Sequence, residues 1–427
     1  MTLTVFIVTL LVAMALGIPI AYALLISGVA LMFSMDNFDS QIVAQNLING
    51  ADNFPLMAIP FFILAGELMN AGGISKRIVA FAMSLVGHIR GGLGYVAIIG
   101  SVLFAGLSGS AVADTAALGA ILIPMMVKAG YDRNRSTGLI AGSGIIAPVI
   151  PPSIPMIIFG VTANVSITKL FLGGIVPGIL MAIGLAIVWW WLVRNEKLEV
   201  YERKSLKEIA KTTVQAIWAL LLPVLIVVGM RGGVFTPTEA AVVAVFYALI
   251  VGLVIYRELK ISQLYEILVS AAKTTSVVMF LAAAAMVSAW LITVANIPAE
   301  ITSLLGPVMD NPFLLLVMIN LLVLLVGTAV DLTPTILILT PVLMPIIQQA
   351  GIDPVYFGIL FIINNCIGLL TPPVGTVLNT ACGVGKTDME GVMKGVWPFL
   401  LIHCVILFLL ILFPEIVTVP IEFLDKK

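Results

Sequence analysis

Apolar stretches follow one another along almost the whole chain, and that succession constrains the fold more than any other feature of the sequence. A helix needs about 20 mainly apolar residues to cross a bilayer. Candidate stretches run at roughly 4–33, 55–71, 93–113, 115–129, 137–160, 171–193, 213–230, 238–256, 268–293, 313–330, 333–349, 356–382 and 396–419. Of the 427 residues, 61% are hydrophobic and 10% are charged, against about 25% charged in a soluble domain. So few charges cannot cover a globular surface of this size. Lipid is therefore the solvent for most of the protein, which reads as all-α and polytopic.

The same composition removes several function classes. Lys plus Arg number 21 and Asp plus Glu 22, a balance that offers no field for a polyanion and excludes a nucleic-acid partner. Cys366, Cys382 and Cys404 lie in apolar stretches without a C-x-x-C pair, and His88 and His403 are the only histidines. That leaves neither a disulfide framework nor a zinc site. The first 33 residues lack a basic start and run far past the apolar core of a signal peptide, so they read as one retained membrane helix.

Polar residues then divide the chain. Arg194 to Lys211 is the long polar stretch, rich in Lys and Arg, and the positive-inside rule makes it cytoplasmic. It separates a first unit, 1–193, from a second, 212–427. Ile74 to Gly92 carries Lys76, Arg77 and Arg90 between apolar residues at helical spacing, which suits a helix lying in the interface. The pairs 93–113 with 115–129, and 313–330 with 333–349, are joined by so few residues that each reads as a re-entrant hairpin or as two spans.

The two units repeat. With a constant shift of 221, residues 124–177 align with 345–398 without a gap: Pro124 falls on Pro345, Asp132 on Asp353, Pro151-Pro152 on Pro372-Pro373 and Pro177 on Pro398. Shared hydrophobicity does not explain coincident prolines, so the chain looks duplicated. Prolines inside a span remove backbone donors, and each unsatisfied group in hydrocarbon costs several kcal/mol. The runs 142–155 and 364–376 therefore read as helix breaks that something else satisfies, either neighbouring side chains, water or a bound cation. Paired breaks of this kind point to the midplane site of a secondary transporter.

The hairpin turns extend the pattern. Ser108, Gly109 and Ser110 in the first unit, and Gly327, Thr328 and Asp331 in the second, put oxygens where two short helices meet. Hard cations take oxygen ligands, but Ser, Thr and Asp are also ordinary helix caps, and for each single residue both roles stay open. Acidic residues within apolar spans are candidates by default because burying their charge is costly. Asp114 and Asp331 flank the turns, whereas Glu67, near the end of its span, reads as reaching the interface. No Lys or Arg lies in the breaks. A carboxylate cargo would have to rest on helix N-termini and hydroxyls. Gly383 to Thr387 mimics the end of a phosphate loop but lacks its first glycine, Thr380 standing there, and His403-Cys404 has no acidic partner nearby. Neither supports an enzyme.

Four segments together carry a family likeness: Ala58 to Gly66, the turn Gly106 to Ser110 with Ala111 to Asp114, the run Ile150 to Ser153, and Gly233 to Ala241. In that order they resemble the large membrane subunit of tripartite ATP-independent periplasmic (TRAP) transporters, over nearly the whole chain. The resemblance implies an inverted-repeat, elevator-type fold with two re-entrant hairpins and broken helices, in the bacterial inner membrane, driven by a Na⁺ gradient. It also implies two separate partners, a small four-helix membrane subunit and a soluble periplasmic binding protein. No organic cofactor is implied.

Carried over residue by residue, the resemblance puts sodium at Ser108, Gly109, Ser110, Asp114, Pro151, Gly327, Thr328, Asp331, Thr371 and Pro372. Substrate falls to Ser108, Ser110, Pro152, Ser153, Thr328 and Pro373. The second unit departs from the first, with Val374-Gly375 where the first has Ser153-Ile154. The SGSAVAD form of the first hairpin is similar to sialic-acid and sugar-acid members, with C4-dicarboxylates the next choice. The alternative reading is a channel or scaffold component without coupled transport.

Overall fold

The computed structural model describes residues 2–196 and 198–425; residue 197, in the polar linker, lies outside the described residues. Twenty α-helices and no strand occur among the described residues. Helices α1 (Thr2–Ala15) and α2 (Ile20–Ser34) occupy the first apolar stretch. The single span expected over 4–33 is therefore two short helices packed on each other. Pro19 causes the break, since it has no N–H and pushes the residue before it out of the helical region.

After α3 (Ser40–Ala51), α4 (Ala58–Ala71) continues a short 3₁₀ turn at Phe54–Met57. Helix α5 (Ile74–Val86) is the amphipathic segment expected over Ile74 to Gly92. Two hairpin arms follow, α6 (Gly92–Ser108) and α7 (Ala111–Lys128), separated by Gly109 and Ser110 alone. The broken helix comes next as α8 (Arg133–Gly144) and α9 (Ile154–Thr162), and α10 (Ile167–Val193) closes the first unit.

The second unit opens with α11 (Leu206–Arg231) and α12 (Pro237–Ile250), each started by a capping box, Ser205 with Glu208 and Thr236 with Glu239. Helix α12 runs into a π turn at Val251–Ile255, and α13 (Leu264–Val294) is the longest helix. Helix α14 (Ile297–Met309) was not expected, its two prolines and Glu300 lowering its apolar signal. The second hairpin is α15 (Pro312–Gly327) with α16 (Leu332–Gln349). The second broken helix is α17 (Pro354–Gly368) with α18 (Thr376–Gly385), so the stretch 356–382 is interrupted where its proline pair falls. Helices α19 (Met389–Leu412) and α20 (Glu415–Asp425) complete the chain.

Eight helices, some continued by a short turn, are long and apolar enough to cross a membrane among the described residues. The repeat seen in sequence is a repeat of structure: hairpin, then broken helix, in each unit. The peptide bonds Pro151-Pro152 and Pro372-Pro373 are both cis. Helix α4 packs against α12 and α13, while α7, α8, α18 and α19 pack together as a second group.

One buried polar link recurs. Ser101 on α6 donates to Ser143 on α8 at 2.8 Å. Asn364, 221 positions after Ser143, donates from α17 to the Asn320 carbonyl and Oδ1 of α15 at 2.5 and 2.8 Å. In each unit a hydrogen bond between interior side chains pins the hairpin to the broken helix, where few competing partners exist.

Candidate functional site

Hairpin tip and helix break meet in both units. In the first, Gly109 has a φ of +60°, and a Cβ there would lie 2.8 Å from the Pro152 carbonyl oxygen. Only glycine combines that conformation with that approach. In the second, the Val374 N–H donates to the Thr328 carbonyl at 3.1 Å. A Cβ on Gly368 would meet the carbonyl carbon of Gly327 at 2.7 Å. The two breaks are therefore closed by backbone against backbone, where side chains would hold them apart.

Around these contacts lie buried oxygens with unused capacity. Asp114 is fully buried; its Oδ1 accepts a hydrogen bond from the Ser108 hydroxyl, and its Oδ2 has no partner. The neighbouring Thr115 Oγ1 is also buried without one. In the second unit Asn364 Oδ1 and Asn365 Oδ1 are buried and unpartnered, the latter beside Gly327. Buried polar atoms are normally paired, and a carboxylate oxygen without a donor is the costliest to leave so. Oxygens alone in a dry interior suit a hard cation.

A cavity of about 400 Å³ opens between the first hairpin, the first break, the tip of the second hairpin and the helices α4 and α13. Three helices begin at its wall: α7 through Ser110 to Ala113, α9 through Ile154 and Pro155, and α16 through Asp331 to Thr333. The first turns of three helices thus border one space, and their positive dipole ends make it attractive to an anion. No Lys, Arg or His lines it among the described residues.

The expected site residues are distributed as follows. Ser108, Gly109, Ser110 and Asp331 line the cavity, and Asp114 lies behind the first tip. Ser110 accepts from the Ala113 N–H at 3.4 Å as cap of α7. Ser153 is buried away from the cavity, accepting from the Met156 N–H at 3.3 Å and donating to the Pro148 carbonyl at 2.5 Å, so its hydroxyl is spent on capping. Thr328 and Thr371 donate to the Leu325 and Ile367 carbonyls. Asp331 accepts from Thr376 at 3.2 Å, tying the second hairpin to α18. Pro151, Pro152, Pro372 and Pro373 sit at the breaks and Gly327 at the second hairpin tip, none of them on the cavity wall.

Sequence reasoning missed part of that wall. Glu67 faces the cavity together with Asn70, Thr274 and Thr333. Ser270 on α13 donates to Glu67 Oε1 at 3.2 Å, so this carboxylate is held between two helices and does not simply reach for an interface. A signal existed: Gly66, Glu67 and Asn70, with Phe62 and Ile63, recur at three- and four-residue spacing on one face. His403 donates to no acid; its Nε2 meets the Gly142 carbonyl at 2.9 Å, joining α19 to α8.

Comparison with known proteins adds independent findings. The sequence profile described as "Tripartite ATP-independent periplasmic transporter, DctM component" matches residues 7–416. The chain is 54% identical to the 2,3-diketo-L-gulonate TRAP transporter large permease protein YiaN of Escherichia coli, over 100% of both chains. It is 40% identical to the sialic acid TRAP transporter large permease protein SiaM of Vibrio cholerae, over 93% of each. It is 38% identical to the C4-dicarboxylate TRAP transporter large permease protein DctM of Pseudomonas aeruginosa, over 90% of each. Among solved structures, the YdaH transporter of Alcanivorax borkumensis matches with a TM-score of 0.62 over 87% of each chain at 14% identity, a likeness of fold.

Proposed function

We propose that this chain, which belongs to the DctM-component family of tripartite ATP-independent periplasmic transporters, imports a carboxylated solute by coupling it to Na⁺. As a large permease subunit for organic acids it is a multi-pass protein of the inner membrane, not an enzyme. The family works as a tripartite system with a small membrane subunit and a periplasmic binding protein. In this reading the binding protein delivers the acid to the cavity, the three helix N-termini take its carboxylate, and Na⁺ takes the unpaired oxygens behind the two tips.

The observation that carries the proposal is the duplicated arrangement itself: each hairpin tip closes on a helix break beside buried oxygens that have no donor. Na⁺ in the first unit would use Asp114, Thr115 and carbonyls of the tip, with Ser108 and Ser110 orienting it. In the second it would use Asn365 and carbonyls near Gly327, Thr328, Thr371 and Pro372. A sugar acid is the first choice of cargo, because the 54% identical relative is named for one; sialic acid and C4-dicarboxylates follow. An elevator movement would carry hairpins and breaks together past α4 and α13.

The test is uptake by proteoliposomes holding the chain and its small subunit, with the loaded binding protein outside. An inward Na⁺ gradient should accelerate saturable uptake. Equal uptake in Na⁺ and K⁺ would reject the coupling, and uptake that neither saturates nor needs the binding protein would favour a passive pore.

A further inference from the structure

The cavity wall carries charge of one sign. Glu67 and Asp331 are its only charged side chains among the described residues, and the remaining polar ones are hydroxyls and an amide. The positive ends of α7, α9 and α16 can hold one carboxylate. A second carboxylate on the same cargo would find no Lys, Arg or His side chain and would share the cavity with Glu67, whose Oε1 accepts from Ser270. Like charges brought close together repel.

Glu67 also offers what a polyol needs. An ionised carboxylate accepts hydrogen bonds at two oxygens, and only Oε1 receives one, from Ser270. Gly66, its neighbour, lies against the first hairpin tip, where a Cβ would be 3.7 Å from the Ser108 Cα. Glu67 and the tip at which α7 begins line the same cavity. We propose that Glu67 is a specificity-determining residue that accepts hydroxyls of a polyhydroxylated monocarboxylate and rejects a second carboxylate. This rests on the import reading above, and it assigns the choice between sugar acid and dicarboxylate to one side chain.

A carboxylate that receives a hydroxyl makes a charge-assisted bond, and a site built around such a bond discriminates against a cargo that leaves it unmade. Glu67→Gln keeps the size and the Ser270 contact while removing the charge. It should weaken the polyol and relieve the repulsion of the dianion at the same time. A merely structural residue would change both acids alike.

The experiment is equilibrium binding of radiolabelled L-gulonate and succinate to the chain with its small subunit in lipid nanodiscs, at constant Na⁺ and without binding protein. Wild type should bind L-gulonate at least about tenfold more tightly than succinate, and Glu67→Gln should narrow that ratio by about tenfold. Glu67→Asp, which retains the charge, should stay on the wild-type side. Equal affinity of wild type for the two acids, binding of neither, or an unchanged ratio in Glu67→Gln would overturn the proposal. Failure of the import reading shows separately, as uptake indifferent to a Na⁺ gradient.

Discussion

Ser108 and Asp114 are joined across the tip of the first hairpin by a hydrogen bond from the serine hydroxyl to Asp114 Oδ1, while Asp114 Oδ2 is buried with no partner. The bond orients the carboxylate and leaves one oxygen for a cation. Asp114→Asn keeps the shape and removes the charge. The Na⁺ concentration for half-maximal uptake should rise by about tenfold or more, since a charge-assisted interaction is replaced by a neutral one. Sodium dependence identical to wild type would make Asp114 a capping residue only.

Gly109 tests the closure of tip on break. Alanine there meets the Pro152 carbonyl at 2.8 Å and must also hold a φ of +60°. The left-handed conformation alone costs about 1–2 kcal/mol, and relief of the clash would separate the tip from the break. Gly109→Ala should lower thermal stability and abolish uptake, whereas alanine at Gly130, open on all sides although its φ is +86°, should lose stability alone. Wild-type uptake in Gly109→Ala would show that the contact is dispensable.

The paired polar links predict an asymmetry between the units. Asn364→Ala leaves Asn320 Oδ1 without its donor in a buried site, although Asn320 Nδ2 still donates to the Leu316 carbonyl, and should cost about 1–3 kcal/mol. Ser143→Ala removes a weaker link between two hydroxyls, and Ser101 can turn to its own helix, so about 1 kcal/mol is expected. Thermal unfolding in detergent should rank Asn364→Ala below Ser143→Ala. The reverse order would mean that the second link is not satisfied as described.

Arg77 separates scaffold from site. Its Nη1 lies 2.7 Å from Glu258 Oε1, and its guanidinium stacks 3.8 Å over the Tyr256 ring, fastening α5 to the turn after α12. Both partners are partly exposed, so Arg77→Ala should cost only about 1–2 kcal/mol. Uptake per folded molecule should be unchanged, which quantified folded protein and uptake together would reveal.

What was legible in the sequence was what proline and spacing encode. Pro151-Pro152 and Pro372-Pro373 announced the two breaks because a proline pair in a span has few other uses, and the short polar turn at Ser108 to Ser110 announced the first hairpin. Hydropathy averaging hid the break before Pro19, where apolar residues on both sides merge two helices into one stretch. Glu67 was misread because its position along the span says how deep it lies but not which helix it faces, and Ser270 on α13 is 203 residues away. Thr274 carried no signal of its own for the same reason. Ser153 read as a ligand because caps and ligands use the same atom types. Only the Pro148 carbonyl and the Met156 N–H, both taken by its hydroxyl, distinguish them.

The central claim is that cations fill the unpaired oxygens at the two breaks, and the most direct measurement is thermal unfolding of the purified chain in NaCl against KCl at equal ionic strength. Binding to the folded state alone raises the midpoint as ligand concentration rises. The account predicts a higher midpoint in Na⁺, growing with concentration and reduced in Asp114→Asn. Identical curves in the two salts at every concentration would contradict it.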